Sequence, residues 1–288
     1  MYRYLILLII PLLGCNNQKN EVNHDTITVS IRPQKFILQQ IAGDRFKVNV
    51  LVPDGSGPET YEPTAVQMKE ISRSRLCFIT GLLDFEKSWI PKVAEMYPEL
   101  PIINTSQGIN LIKGHEEHQS EAHHHGVDPH IWLSLKAVKI QGQTMLKSLI
   151  SVDSPNKSYY TKNYLRFVTQ LDSVDSLIRT KYLKFGQPVS FMIYHPSLSY
   201  YAMDYGVEQI PIEVEGKEPS PAYMKDIIDL AAKKKIQTVF YSAQFDKRSA
   251  ETVAKQLNIS LTSFNPLEEN VEQNLLNITD KIIDSKSK

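Results

Sequence analysis

Apolar residues change their spacing repeatedly along this chain of 288 residues. Short apolar runs alternate with longer stretches in which apolar positions recur every three or four residues. The runs predict strands and the longer stretches predict helices, and their alternation favours parallel α/β units. The predicted strands are ITVSI (27–31), KVNVLV (47–52), LCFITG (76–81), PIIN (101–104), VSFMIY (189–194), VEQIPIEV (207–214), QTVFYS (237–242) and ISLTSF (259–264). The predicted helices are 34–43, 63–74, 85–96, 135–150, 197–206, 220–235, 247–257 and 269–284.

A stretch in the middle of the chain predicts a much longer helix. It opens with the helix-start signal Ser154-Pro155 and continues to residue 183 without glycine or proline. Such a helix is about 40 Å long, which is more than one small lobe needs, so it predicts a rigid spine between two lobes. Its apolar positions are Tyr160, Tyr164, Phe167, Leu171, Val174 and Ile178. The predicted division is a lipoprotein signal peptide at 1–14, a lipidated tether at 15–26, an N-terminal α/β lobe at 27–152 with a His-rich loop at 113–127, the spine at 153–185 and a C-terminal α/β lobe at 186–288.

The N-terminus predicts export. MYRYLILLIIPLLGC has one early arginine and an apolar run that is short for a membrane span but typical of a secretory signal peptide. The run ends in LLGC, which resembles a bacterial lipoprotein box, so we expect Cys15 to carry the lipid that anchors the mature chain to a membrane. The alternative is an ordinary signal peptide with an incidental cysteine. In either case the mature protein is extracytoplasmic.

The amino-acid composition argues against nucleic acid as a partner and against sites built on cysteine. The 32 acidic and 32 basic residues balance, and no basic stripe indicates nucleic acid. Once Cys15 is lipidated, Cys77 is the only other cysteine, and its apolar setting predicts a buried thiol. A disulfide within one mature chain and a cysteine zinc site are both excluded.

Polar side chains follow several of the predicted strands. Glu59 comes after KVNVLV, His195 directly after VSFMIY and Asn265 directly after ISLTSF, while His130 stands at the start of a helix after the His-rich loop. Ligands of open parallel sheets collect outside the carboxyl ends of the strands. Because these residues are spread over both lobes, they predict a site between the lobes. Taken alone, each histidine after a strand also fits a hydrogen-bonded core histidine.

Six segments then give the chain a resemblance to a known family. They are GPETYEP (57–63), DPHIWL (128–133), YHPSLSYYAMDYG (194–206), IEVEGKEPSP (212–221), SAQFDKRSAETVA (242–254) and NPLEEN (265–270). Together they resemble the solute-binding proteins of metal-ion ABC importers of the zinc/manganese family, across nearly all of the mature chain. The resemblance implies extracytoplasmic capture of a divalent metal ion and its delivery to a permease and an ATPase, by a monomer without enzymatic activity.

Carried over by position, the resemblance implies four metal ligands, Glu59, His130, His195 and Asn265. The family pattern has histidine where this chain has Glu59 and a carboxylate where it has Asn265, so one carboxylate has changed lobes. Two imidazoles with a carboxylate suit zinc, and the added oxygen tolerates manganese or iron better than three imidazoles do. Asn265 is the weakest of the four ligands, and a water or the second oxygen of Glu59 is the alternative. Because the ligands must be deprotonated, affinity is expected to fall as pH drops through about 6.5.

Five further histidines crowd into GHEEHQSEAHHHG, namely His115, His118, His123, His124 and His125. A His-rich tract binds metal on composition alone, and such loops in the family resemble auxiliary low-affinity metal collectors. The alternative is an incidental polar loop.

Three other functions stay open at this stage. A zinc hydrolase has a similar His/His/carboxylate set, but the chain has no H-E-x-x-H motif. A receptor for a chelated metal or siderophore shares the spine-helix architecture. A surface adhesin role is compatible with metal capture. We also predict that Glu213 braces a turn or faces solvent, and that Tyr200, Tyr201 and Tyr205 are core residues.

Overall fold

Two four-stranded parallel sheets form the framework of the computed structural model, which describes residues 25–59, 61–113, 126–213, 219–244 and 247–286. The first sheet has the order β2-β1-β3-β4 and the second has the equivalent order β6-β5-β7-β8. All pairings within these sheets are parallel. The first sheet comprises β1 (Thr26–Val29), β2 (Lys47–Val50), β3 (Leu76–Ile79) and β4 (Ile102–Asn104). The second comprises β5 (Ser190–Ile193), β6 (Glu208–Pro211), β7 (Thr238–Ser242) and β8 (Ser260–Phe264).

The helices lie where the periodicity predicts them. They are α1 (Arg32–Ala42), α2 (Ala65–Ile71), α3 (Asp84–Met96), α4 (Leu135–Val152), α5 (Lys157–Phe185), α6 (Ser199–Tyr205), α7 (Pro221–Lys233), α8 (Lys247–Leu257) and α9 (Val271–Asp284). The predicted helix at 63–74 is shorter in the structure, where α2 ends at Ile71. It begins after Thr64 because the Thr64 hydroxyl accepts from the backbone N–H of Gln67, as in a capping box. No helix in the part of the chain that the structure describes is long and apolar enough to cross a membrane.

The spine helix α5 is a single helix of 29 residues. It ends at Gly186, whose positive φ of 71° is a left-handed conformation that terminates helices and favours glycine. Its buried face carries Tyr160, Phe167, Leu171 and Ile178, at the predicted spacing. The helix contacts α1 and α4 of the first lobe and α6 and α9 of the second. The predicted fold class of two α/β lobes joined by one long helix is confirmed.

The strand β5 shows how the second sheet is buried on both faces. Its alternate residues Phe191 and Ile193 join the large core that runs through the first lobe and the spine, whereas Met192 joins a smaller core beneath α7 and α8. Alternate side chains of a strand point to opposite faces, so one strand serves both cores. The predicted buried thiol of Cys77 is confirmed, and burial raises its pKa to about 12.

Candidate metal centre

Three of the four predicted ligands meet between the two lobes. Glu59, His130 and His195 each offer a ligand atom, and these three atoms lie within 4.8 Å of one another. Within the described ranges, this is the one group of histidine, cysteine and acidic side chains close enough to share a metal ion.

The distances inside this group fit a small cation. Glu59 Oε1 lies 2.9 Å from His195 Nε2 and 3.6 Å from His130 Nε2. Two ligand atoms of a tetrahedral zinc site, each about 2.0–2.1 Å from the metal, lie about 3.3 Å apart. The observed distances lie on either side of that value. Exposure is 5% for the His130 side chain, 11% for His195 and 27% for Glu59, so the group opens to solvent on its Glu59 side.

The two histidines reach the group from different local structures. His195 stands two residues beyond the end of β5, a central strand of the second sheet. His130 precedes a short 3-10 helix, Ile131–Leu133, which leads into α4. There the Ser134 hydroxyl caps α4 by accepting from the backbone N–H of Ala137. Both histidines are therefore held by adjoining secondary structure.

Glu59 comes from a longer loop that follows β2. Near the start of this loop, the side-chain amide of Gln67 donates to the Leu51 carbonyl at 2.6 Å. Arg32 pairs with Asp54 in the same loop and, at 3.3 Å, with Glu269 in the other lobe. These contacts tie the loop both to its own lobe and to the opposite one.

A second carboxylate stands behind each histidine. Asp128 Oδ1 accepts from the backbone N–H of His130 and lies 2.9 Å from the ring atom Nδ1. Glu213 Oε2 lies 3.4 Å from His195 Nδ1. A carboxylate at one ring nitrogen fixes the tautomer and leaves the other nitrogen, here Nε2, to face the metal.

Neither of these roles is among the sequence-based predictions. Glu213 is buried, so of its two predicted roles, bracing a turn or facing solvent, the second is wrong. Its position in the chain is the feature that points to this role. Backbone pairing of β5 with β6 continues past the strand ends, where the Glu213 N–H donates to the Tyr194 carbonyl at 3.0 Å. This pairing places Glu213 beside His195. For Asp128 the signal was the spacing Asp-x-His, because an aspartate commonly accepts from the N–H two residues on.

In the metal-free site, the imidazoles and the carboxylates shift one another's pKa values. Burial lowers the pKa of His195, but the carboxylates of Glu213 and Glu59 outweigh it and raise the pKa to about 9. Burial raises the pKa of Glu59, but His195 and His130 outweigh it and hold the pKa below its ordinary value. Burial also raises the pKa of Asp128, but His130 outweighs this effect and holds the pKa below its ordinary value. At neutral pH a His195 with this pKa carries its proton between Glu59 and Glu213 when no ion is bound.

Asn265, the fourth predicted ligand, is engaged elsewhere. It follows β8 directly, as predicted, but its Oδ1 accepts from the backbone N–H of Leu267 at 2.9 Å and from the side-chain amide of Gln244. An amide oxygen has two lone pairs, and these two donors use both. Ligation by Asn265 would therefore break one of these hydrogen bonds.

Two groups of predicted site residues lie outside the described residues. These are the lipid-bearing Cys15 and the histidines His115, His118, His123, His124 and His125. The neighbouring chain is described: Lys113 and Val127 form an antiparallel bridge, and the Asp128 N–H donates to the Ile112 carbonyl at 3.0 Å.

The fold and the site define a class of protein, a two-lobed receptor with a cation-sized group of ligands between its lobes. The family model for the zinc-uptake complex component A, periplasmic, matches residues 27–285. The chain belongs to this family, and the resemblance drawn from the sequence motifs is confirmed.

Individual relatives agree with this membership. The chain is similar to the zinc-binding lipoprotein AdcA of Streptococcus pneumoniae strain R6, with 28% identity over 274 residues, which cover 91% of this chain and 54% of the relative. It thus spans about half the length of that relative. It is also similar to the manganese ABC transporter substrate-binding lipoprotein ScaA of Streptococcus gordonii, with 26% identity over 90% of this chain and 87% of the relative. A crystal structure of ZnuA superposes with a TM-score of 0.81 at 34% identity, over 90% of this chain and 98% of that one.

Proposed function

We propose that this protein captures a divalent metal ion outside the cytoplasm and delivers it to the permease and ATPase of an ABC importer. The observation that carries the proposal is the meeting of Glu59 and His130 from one lobe with His195 from the other within 4.8 Å. A site shared by two lobes lets small lobe movements hold or release the ion. Names of relatives that refer to ABC transport support the delivery step.

We propose zinc as the ion, with Glu59, His130 and His195 as ligands. Two imidazoles and one carboxylate form a common protein set for zinc. Manganese or iron is the alternative, because these ions accept oxygen ligands and because relatives are named for zinc and for manganese. A water or the second oxygen of Glu59 fills the fourth position, while Asn265 braces the loop after β8.

A receptor fits the surroundings of the site better than a hydrolase does. A zinc hydrolase needs a carboxylate or histidine placed to activate a water. Here the two additional carboxylates, Asp128 and Glu213, face the Nδ1 atoms of the histidines. They are therefore placed to orient ligands.

We further propose roles for the lipid anchor and for the His-rich segment. The lipid on Cys15 anchors the mature monomer to a membrane, and the His-rich segment around His115–His125 collects metal weakly beside the main site. Names of relatives that include the word lipoprotein support the anchor.

The test is calorimetric titration of the chain starting after Cys15 with zinc, manganese and iron(II). Wild type is expected to bind zinc tightly, and His130→Ala and His195→Ala are expected to lose this binding. Asp172→Asn, on the exposed face of α5, is the control and is expected to bind as wild type does. Tight binding that persists in both histidine variants would contradict the proposal.

A further inference from the structure

The helix α6 joins the two histidines of the candidate site, which come from opposite lobes. It begins at Ser199, four residues after His195, and its buried face contacts the segment that carries His130. The Tyr200 hydroxyl donates to the Asp128 carbonyl at 2.9 Å and accepts from the Ile112 N–H at 3.1 Å.

Two more residues of α6 lie close to the same segment. Burial raises the pKa of Asp128, and the Ser199 hydroxyl is among the groups near its carboxylate that lower it. At the other end of the helix, Asp204 Oδ2 accepts from the hydroxyl of Ser134, the cap of α4, at 2.6 Å. The chain from Asp128 to Ser134 is thus held at both ends by one short helix of the opposite lobe.

Among these residues of α6, Tyr200 has the most direct connection to a predicted ligand, His130. Its side chain is 2% exposed, so the hydrogen bonds of its hydroxyl are shielded from water and costly to lose. Its partner Asp128 is the residue that fixes the ring of His130. The sequence predicts Tyr200 to be a core residue, and its ring is buried as predicted. That prediction did not include the contacts of its hydroxyl.

We propose that Tyr200 is a positioning residue for metal capture, whose hydroxyl fixes Asp128 to the helix that follows His195 and so sets the placement of the two imidazoles relative to each other. The inference rests on the proposed function. It assigns the hydroxyl a role beyond stability, because a displaced Asp128 allows the His130 ring to turn away from the ion.

Tyr200→Phe removes the hydroxyl and keeps the ring. Tyr201→Phe is the matched control on the same helix: Tyr201 is fully buried, and its hydroxyl bonds Tyr182 and Thr279, both at 2.7 Å, in the C-terminal half of the chain. Both variants are expected to lower the melting temperature. Only Tyr200→Phe is expected to speed zinc release, by about tenfold, the lower end of the effect of removing a partner of a metal-ligating histidine.

Two measurements separate positioning from stability. Zinc release is followed with a fluorescent chelator, and the visible absorption of the Co²⁺-loaded protein reports ligand geometry. Tyr200→Phe is expected to shift the cobalt bands, and Tyr201→Phe is expected to leave them at their wild-type positions. Should Tyr200→Phe not fold, Ser199→Ala is the second variant, because it removes a hydroxyl of α6 beside the Asp128 carboxylate. It is expected to show the same changes, but smaller ones.

The outcomes distinguish this inference from the proposed function. Wild-type release rates and cobalt spectra in Tyr200→Phe, or in Ser199→Ala where Tyr200→Phe is unfolded, overturn the positioning role alone. Equal changes in Tyr200→Phe and Tyr201→Phe also overturn it, because they show a general effect of lost stability. A wild-type protein that binds neither zinc nor cobalt overturns the proposed function, and this inference with it.

Discussion

The two lobes share one sheet order but supply their ligands in different ways. The C-terminal lobe places His195 almost at the end of a central strand, with Glu213 beside it at the end of the neighbouring edge strand. The N-terminal lobe supplies Glu59 and His130 from loops well beyond its own sheet. One half of the site is therefore built on strands, and the other half depends on contacts that hold its loops.

This difference indicates which parts of the site are adjustable. His195 is held by the backbone of its own sheet, whereas His130 needs Asp128 and α6, and Glu59 needs the loop contacts of Arg32 and Gln67. Glu59 is also the most exposed of the three ligands. We expect the ion to enter and leave on the Glu59 side, while the histidines form the buried floor.

After the loss of either histidine, the largest effect is expected from Glu59→Gln. This change removes the charge that lies near both imidazoles and replaces a strong ligand with a weak one, so zinc affinity is expected to fall by more than about 100-fold, the upper range for loss of a residue behind a ligand. Asn265→Ala is the comparison variant and is expected to keep near-wild-type affinity, with a lower melting temperature because the Leu267 N–H loses its acceptor. Competition with a chelator of known affinity measures both. A loss in Asn265→Ala equal to that in Glu59→Gln would make Asn265 a ligand.

Next in size are the carboxylates behind the histidines. Glu213→Gln and Asp128→Asn are each expected to weaken zinc binding by about 10–100-fold, because each ring loses the carboxylate charge that fixes its tautomer and raises its basicity. Asp128→Asn keeps an oxygen that accepts from the His130 N–H, so its melting temperature is expected to stay close to that of Glu213→Gln. The same chelator competition and thermal unfolding measure these effects, with Glu95→Gln on the exposed face of α3 as control. Wild-type affinity in both variants would show that strand and loop backbone alone orient the rings.

The affinity for zinc is also expected to depend on pH. Because the pKa of His195 is about 9 in the metal-free protein, zinc must displace its proton at neutral pH. Affinity is expected to rise about tenfold per pH unit between pH 7 and 8, and calorimetry in buffers of different ionisation enthalpy is expected to show release of about one proton. The sequence alone predicted loss of affinity only below about pH 6.5.

The stability of the metal-free protein is expected to change in the opposite direction. A pKa raised on folding stabilises the fold fully below the unfolded value, about 6.5, and this contribution disappears as pH rises through about 9. The melting temperature of the metal-free protein is therefore expected to fall over this range, and His195→Ala is expected to flatten the dependence. A metal-free wild type whose melting temperature rises from pH 6.5 to 9 would contradict the charge pairing around His195.

Site residues that follow a strand closely are easier to predict from the sequence than contacts between distant segments. His195 and Asn265 were placed at strand ends by the apolar runs before them, because parallel strands end at one edge of a sheet. The spine helix followed from spacing and from the lack of glycine and proline. In contrast, the carboxylates behind the histidines and the hydroxyl of Tyr200 act through contacts between distant segments, such as Tyr200 with Ile112, and no local pattern records these. Ligation by Asn265 stays a prediction, because its position after a strand does not show which donors occupy its oxygen.

The smallest effect is expected from deleting residues 115–125, which holds five of the eight histidines. The segment is flanked by the Lys113–Val127 bridge and by the hydrogen bond between Asp128 and Ile112, so its removal leaves Tyr200 and Asp128 their partners. Affinity at the main site is expected to stay near the wild-type value, while weaker zinc equivalents disappear from the calorimetric titration. Replacing the five histidines with asparagine is the length-matched control and is expected to give the same result. Loss of the tight site in the asparagine variant would place a ligand of that site among these five histidines, and loss in the deletion alone would show that the length of the segment supports Asp128.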